Sequence, residues 1–547
     1  MKRATAAKIL SLFSILTLGV VACDGGATSQ SEQEKTGQAT VAQLTDELIS
    51  HTNADPAALS AAAATTFFTE APTVLLVGSE DTAALAQLAR TAYFAQIPLL
   101  EIGEDVDPTT EALTDLKTQT VLNASELSDE QRDAVAADDR DLVEVRNLEA
   151  ESFELDHAVL NEHLDKDVPE SSSAPSEEEA TGDEAPTEKA SSGKPITDLV
   201  TELEPDETNE SSTVAVIEDS EDSLSAAANG LAAGASLQPY TGDIRSEQEL
   251  IKQVSAAEHV VGISATADDS KQFSNRLATV ATGKQLPGGG QLVFDGKRYV
   301  ALYGSPITPA LGVLGEQGTN ATIKKAAAYA KKYDGLFGKD ASIPALEIIV
   351  TVASSSAGPD NNYSEEWDAK EFLPLIKAAE KAGQYVVLDF QPGRTEFVEQ
   401  IKLYEDLLAY PHVGVALDPE WRIGDNERHL ARIGHVEADE VNDVVDYLAD
   451  FTAKKKLPQK ALVLHQFQTQ MLRDRDKIKL DRDEIAVLIH ADGQGSQGEK
   501  NATWDNLHQD APEVAWGWKN FIDEDHPMLT PEQTVKVKPI PHFVSYQ

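Results

Sequence analysis

Asp418-Pro419-Glu420, followed by Trp421, is the sharpest concentration of chemistry in the chain. Residues two apart on a strand point the same way. Both carboxylates are therefore expected to face one pocket, where mutual repulsion raises one pKa. A protonated carboxyl beside an ionised one is the arrangement that glycoside cleavage requires. Asp389 adds a third carboxylate from the preceding strand. Glu420 is the candidate general acid, with Asp418 and Asp389 as electrostatic partners. The alternative is an acidic pair that caps a loop or is salt-bridged to Arg422. Gln391, Trp421, His465, Gln466, His490, Asp492 and Trp518 are candidate substrate contacts. The tryptophans Trp367, Trp421, Trp504, Trp516 and Trp518 all fall in this half, and indole faces stack on sugar C–H surfaces.

Two further patterns carry weaker chemistry. His465, His490 and His542 sit on three expected strands, as metal ligands would. The His-x-His on the first strand and the Asp after the eighth that metal-dependent amidohydrolase barrels would show are absent, so no metal is expected; no cofactor is expected either. Gly493-x-Gly495-x-x-Gly498 matches a dinucleotide fingerprint by letter. It does not open a βαβ unit, and reads instead as a mobile loop over the pocket.

The elements that must position these residues form a regular series. Strand candidates are 298–303, 346–353, 385–390, 413–417, 461–467, 485–489, 514–518 and 542–545, with helical runs such as 370–382, 395–409 and 438–455 between them. Eight strands in about 250 residues fit a (β/α)₈ barrel, whose chemistry sits where strands end and loops begin. The last outer helix is absent or supplied by an earlier segment. The Pro287-Gly288-Gly289-Gly290 turn is expected to lead into a strand covering the lower end. The Asp-x-Glu at the fourth strand end resembles that of chitinase-like barrel glycosidases. That resemblance implies a polysaccharide substrate, although the longer acidic run upstream is replaced by Val413-Gly414-Val415-Ala416.

The preceding half contains an internal repeat. Thr73-Val74-Leu75-Leu76-Val77, Ser79-Glu80-Asp81, an alanine-rich run and Pro98 recur as Val214-Ala215-Val216-Ile217, Ser220-Glu221-Asp222, an alanine-rich run and Pro239. The triplet and the proline share one offset of 141 residues. Each copy reads as a buried strand, a helix capped by Ser79 or Ser220, and a second strand. A further apolar run closes each copy. The copies resemble the type 2 cell-wall-binding repeat of Gram-positive surface proteins. The likeness rests on Ala57-Ala58-Leu59-Ser60 through Phe67-Phe68, Ala71-Pro72 through Gly78, Ile97-Pro98-Leu99-Leu100 and Thr120-Val121-Leu122-Asn123-Ala124-Ser125. It implies binding of a cell-wall polymer. Asn53-Ala54-Asp55-Pro56 replaces the family's aromatic opening, and Asn123-Ala124 its paired glycines.

Lys2, Arg3 and Lys8 precede an apolar run to Val21 that is shorter than the roughly 20 residues a membrane span needs. Ala22-Cys23 then resembles the lipobox of bacterial lipoproteins, and Cys23 is the chain's one cysteine. The expectation is a protein held by an acylated Cys23 on the outer face of the cell membrane. A net charge of −48 over 547 residues argues against nucleic acid as a partner, since phosphate binding needs clustered Lys and Arg. The organisation expected is α/β throughout: signal peptide 1–23, flexible spacer 24–56 and a first small parallel unit 57–164. An acidic disordered linker 165–212, a second unit 213–290 and a TIM-like barrel 291–547 follow. The expected partner is cell-wall polysaccharide. The function expected is binding and hydrolysis of that polymer, with a non-catalytic binder and a metal-dependent hydrolase as alternatives.

Overall fold

The computed structural model describes residues 39–145, 195–203 and 212–547, apart from 268 and 430. The expected signal peptide, Cys23 and most of the expected linker lie outside the described residues.

The C-terminal part is a closed barrel of eight parallel strands. In order these are Lys297–Gly304, Ala341–Ala353, Tyr385–Phe390, Val413–Leu417, Lys460–Gln466, Ile485–Ala491, Ala515–Asn520 and Phe543–Tyr546. Each pairs with its neighbours, and the first pairs with both the second and the eighth. The strands are apolar runs because both faces are covered; every residue of Val413–Leu417 is buried. Outer helices form where apolar residues recur at helical spacing, as Phe372, Leu375, Ile376 and Ala379 do along Ala369–Lys381. Asp368 caps that helix by accepting from the Lys370 N–H.

The lower end of the barrel is closed without the expected strand. After Gly288, Gly289 and Gly290, all at positive φ, the chain is irregular. It inserts Leu286 and Val293 among Tyr299, Tyr385 and Phe543. Val293 is fixed by its backbone: its N–H donates to Gln459 and its carbonyl accepts from the Tyr299 hydroxyl.

Ahead of the barrel lie two four-stranded sheets that share one strand order. In one, Leu99–Ile102, Thr73–Gly78, Thr120–Asn123 and Asp141–Glu144 lie side by side; in the other, Ser236–Tyr240, Thr213–Glu218, His259–Ser264 and Leu48–Thr52 do. All pairings are parallel. The second sheet thus takes its fourth strand from ahead of the first, inside the span expected to be a spacer. Helix Pro195–Leu203, with Ile196 fully buried, lies inside the span expected to be a linker. The copies are not independent units: one apolar core joins both, including Leu59, Leu88, Leu99 and Leu231. Asn229 ties them further, its amide bonding the N–H and carbonyl of Leu99. The caps also differ from expectation. Asp81, not Ser79, caps helix Thr82–Ala95, and Ser220 makes no cap to the short turn after it. A carboxylate two residues further on reaches the free N–H groups that Ser79 does not.

This N-terminal body is docked on the barrel's lower end by charge. Asp483, just ahead of the sixth strand, accepts from Arg245 at 2.8 Å and from Arg276 at 2.7 Å. Arg245 also holds Asp243 at 2.6 Å.

Candidate functional site

Inward-facing residues of the barrel change character from bottom to top. Low down they are Tyr299, Ala301, Ala345, Val387, Ala416 and Val463. One step towards the strand ends, alternation delivers a polar side chain from every strand. Tyr303, Glu347, Asp389 and Asp418 come from strands one to four; His465, His490, Lys519 and Ser545 come from five to eight. All eight are buried.

His465 is the hub. Its Nε2 lies 2.8 Å from Glu347 Oε1 and its Nδ1 2.9 Å from Asp492 Oδ2. Carboxylates can only accept, so both ring nitrogens carry protons and the ring is an imidazolium. Burial opposes that charge, yet Glu347 and Asp492 outweigh it and hold the pKa well above the ordinary histidine value. Asp492 is held below the usual carboxylate value, its bond to His465 overcoming its burial. His490 lies edge-on to this ring, at 5.1 Å, and bonds Ser545 at 2.8 Å. Burial and the neighbouring imidazolium keep it neutral.

The three candidate catalytic carboxyls converge beside this hub. Asp389 accepts from the Tyr303 hydroxyl at 2.9 Å; its other oxygen, 3.9 Å from His465 Nε2, has no hydrogen-bond partner. Burial raises its pKa to about 6. Asp418 is pushed well above the usual carboxylate range by burial and by the carboxyls of Glu420 and Asp389. Glu420 is raised to about 7 by burial and by Asp492, against the pull of Lys519 and His465. The strand ends at Leu417, so Glu420 reaches the cluster from a short 3₁₀ turn, Pro419–Trp421, rather than by the strand's pleat. The loop returning over that turn passes at Gly434, where an added Cβ would lie 2.4–2.6 Å from the carbonyl oxygens of Pro419, Glu420 and Arg422. Arg422 does not pair with Asp418 or Glu420. It grips both oxygens of Glu440 at 3.1 Å.

The remaining expected contacts divide. Gln391 faces the mouth and ties the second and third strand ends, accepting from the Ala353 N–H at 2.9 Å. Trp421 is half-buried at the rim, edge-on to His429. Gln466 and Trp518 are corrections: each follows or precedes an inward residue, so each points outward. Gln466 accepts from Arg475 and donates to the Thr469 carbonyl. Trp518, 1% exposed, packs on Trp504 of an outer helix, as Trp516 does. His542 sits at the opposite end of the barrel against Phe294, remote from His465 and His490. Both nitrogens of His465 are engaged, and no group of three His, Cys, Asp or Glu among the described residues is placed to hold a metal. Gly493–Gly498 is no anion site, since Glu499 and Ser496 cap each other across that helix start. A groove of about 420 Å³ lined by residues such as Glu437, Gln470, Arg473 and Asp510 shares no residue with the carboxyl cluster.

Glu347, Tyr303 and Lys519 were not among the expected site residues. Lys519 lies 3.5 Å over the Tyr303 ring, a cation–π contact. The signal for two of them was available: Glu347 and Lys519 are charges set within otherwise apolar strand sequences.

No protein-family model and no curated protein matches the chain. Among solved structures, Cwp6 from Clostridium difficile is similar at 12% identity and a TM-score of 0.32, over 66% of this chain and 65% of that one. A hyperthermophilic endo-β-1,4-glucanase in complex with substrate gives 11% and 0.26, over 47% of this chain and 91% of that one. Cwp8 from Clostridium difficile gives 12% and 0.18, over 74% and 52%. The chain thus spans less than two thirds of either Cwp protein. At these scores and identities the similarity says nothing of what this chain binds or does.

Proposed function

We propose that the barrel mouth binds a cell-wall polysaccharide and hydrolyses a glycosidic bond in it. The observation that carries this reading is the convergence of Asp389, Asp418 and Glu420, with pKa values raised to different extents. Glu420, protonated up to about pH 7, donates its proton to the glycosidic oxygen as the bond to the anomeric carbon breaks. Asp389, ionised above about pH 6, stabilises the positive charge that develops on the ring. Water adds to the anomeric carbon and yields its proton to the ionised cluster. Gln391 and Trp421 orient the sugar. The cell-wall setting rests on the sequence: the repeat resemblance, and a lipobox that would tether the chain through Cys23 to the outer face of the membrane.

A binder without hydrolysis is the second reading. Asp389 is 0% and Asp418 4% exposed, which leaves Glu420 as the one carboxyl of the three that is open to solvent. The test is release of reducing ends from isolated cell-wall polysaccharide by residues 24–547. Release that falls by roughly 10²–10⁴-fold in Glu420→Gln supports the acid role. Release unchanged in that variant removes Glu420 from the mechanism, and retention without release means a binding barrel.

A further inference from the structure

Resting on that reading, we infer that the mouth selects a glycan bearing free, protonated amines: an amino sugar without its N-acetyl group, or with it removed. The hydrogen-bond inventory points to a ligand rich in donors. Glu347 Oε2, Asp389 Oδ1, Asp418 Oδ1 and Asp492 Oδ1 are buried acceptors with no partner among the described residues, and unsatisfied buried polar groups are costly. Sugar hydroxyls would meet that need, but the charge balance asks for more.

Five carboxyls converge here against two cations, and both cations are already engaged. The imidazolium of His465 lies between Glu347 and Asp492. Lys519 lies over the Tyr303 ring, and Tyr303 in turn bonds Asp389. Asp389, Asp418 and Glu420 therefore share the outlying charge of those two cations, His465 Nε2 lying 3.9 Å from Asp389, and the five carboxyls outnumber them. Burial first, and then repulsion from neighbouring carboxyls, raises their pKa values in the free protein, and protonation relieves that repulsion. An ammonium group on the ligand relieves it while leaving two of them ionised, and its three N–H groups are donors of the kind the orphaned oxygens lack. A neutral N-acetyl group offers one N–H and no charge. An anionic polymer would add to the repulsion.

The test splits one preparation of hexosamine-containing cell-wall glycan into a fully N-acetylated half and a de-N-acetylated half, so that backbone and linkage are common to both. Retention and reducing-end release are measured at 0.15 M salt, which screens exposed charges beyond about 8 Å. The chain's net charge of −48 would hold a cationic polymer without any site, so Asp418→Asn is run beside the parent, with Asp389→Asn in its place if the first melts early. The expected result is at least a tenfold preference for the amine form, falling to near unity in the variant. Retention with that pattern but no cleavage keeps the amine selectivity and removes the hydrolysis. Cleavage of the N-acetylated half as fast as the other overturns the selectivity and keeps the hydrolase. A preference undiminished in the variant also overturns it, and loss of both retention and cleavage overturns both.

Discussion

The imidazolium of His465 holds together two carboxylates that could not otherwise be buried side by side. Its raised pKa gives the sign of its effect: the stability it contributes is complete below the unfolded value near 6.5 and is lost as pH rises through the folded value. Replacing it by glutamine leaves Glu347 and Asp492 buried without a counter-charge. Urea denaturation of His465→Gln at pH 6 should show a loss of about 3–5 kcal/mol; a loss under 1 kcal/mol would mean the pair adds little. At this scale much was legible. Asp389, Asp418, His465, His490 and Asp492 do meet at the strand ends, because strand alternation and barrel closure leave inward residues nowhere else to go; Glu420 joins them from the turn after the fourth strand. Glu347 is not legible from the strand ends because it lies mid-strand. Trp518 was misplaced because an aromatic at a strand end suits either face, and only the inward position of Gly517 decides which.

Among the elements, the seventh strand shows how a missing side chain makes room for a functional one. A Cβ at Gly517 would lie 2.1 Å from His490 Nδ1. Gly517→Ala should therefore cost about 1–3 kcal/mol and displace His490. A melting temperature within a degree of the parent would contradict the packing described. Between the paired sheets, Glu101 is 1% exposed and accepts from Ser225 at 2.5 Å. Burial raises its pKa from 4.5 to about 7. Its folded value exceeds its unfolded one, so its contribution is complete below about pH 4.5 and fades as pH rises to about 7. Glu101→Gln should be stabilising by about 3 kcal/mol at pH 8 and neutral at pH 4; equal melting temperatures at pH 8 would refute that. The barrel strands could be read to within a few residues because each is an apolar run between helical periodicities. Strand Leu48–Thr52 could not, since its polar residues Ser50, His51 and Thr52 conceal a strand whose partner lies over 200 residues away.

Across the whole molecule, the N-terminal body joins the barrel through Asp483, Arg245 and Arg276. Asp483→Ala should cost about 2 kcal/mol and split a single calorimetric transition into two, whereas one unchanged transition would show that the halves are coupled without Asp483. The order of parts was legible from composition and repeats. Their interleaving was not, because no local pattern states that one sheet borrows a strand from ahead of the other. The central claim, that a cluster of carboxyls with raised pKa values cleaves glycosidic bonds, is tested most directly by the pH dependence of reducing-end release from cell-wall glycan. The prediction is a bell, falling below about pH 6 as Asp389 takes up its proton and above about pH 7 as Glu420 loses its own. Glu420→Gln should lower the whole curve and remove its alkaline limb. Release that is flat from pH 5 to 9, or that keeps its alkaline limb in the variant, would contradict the account.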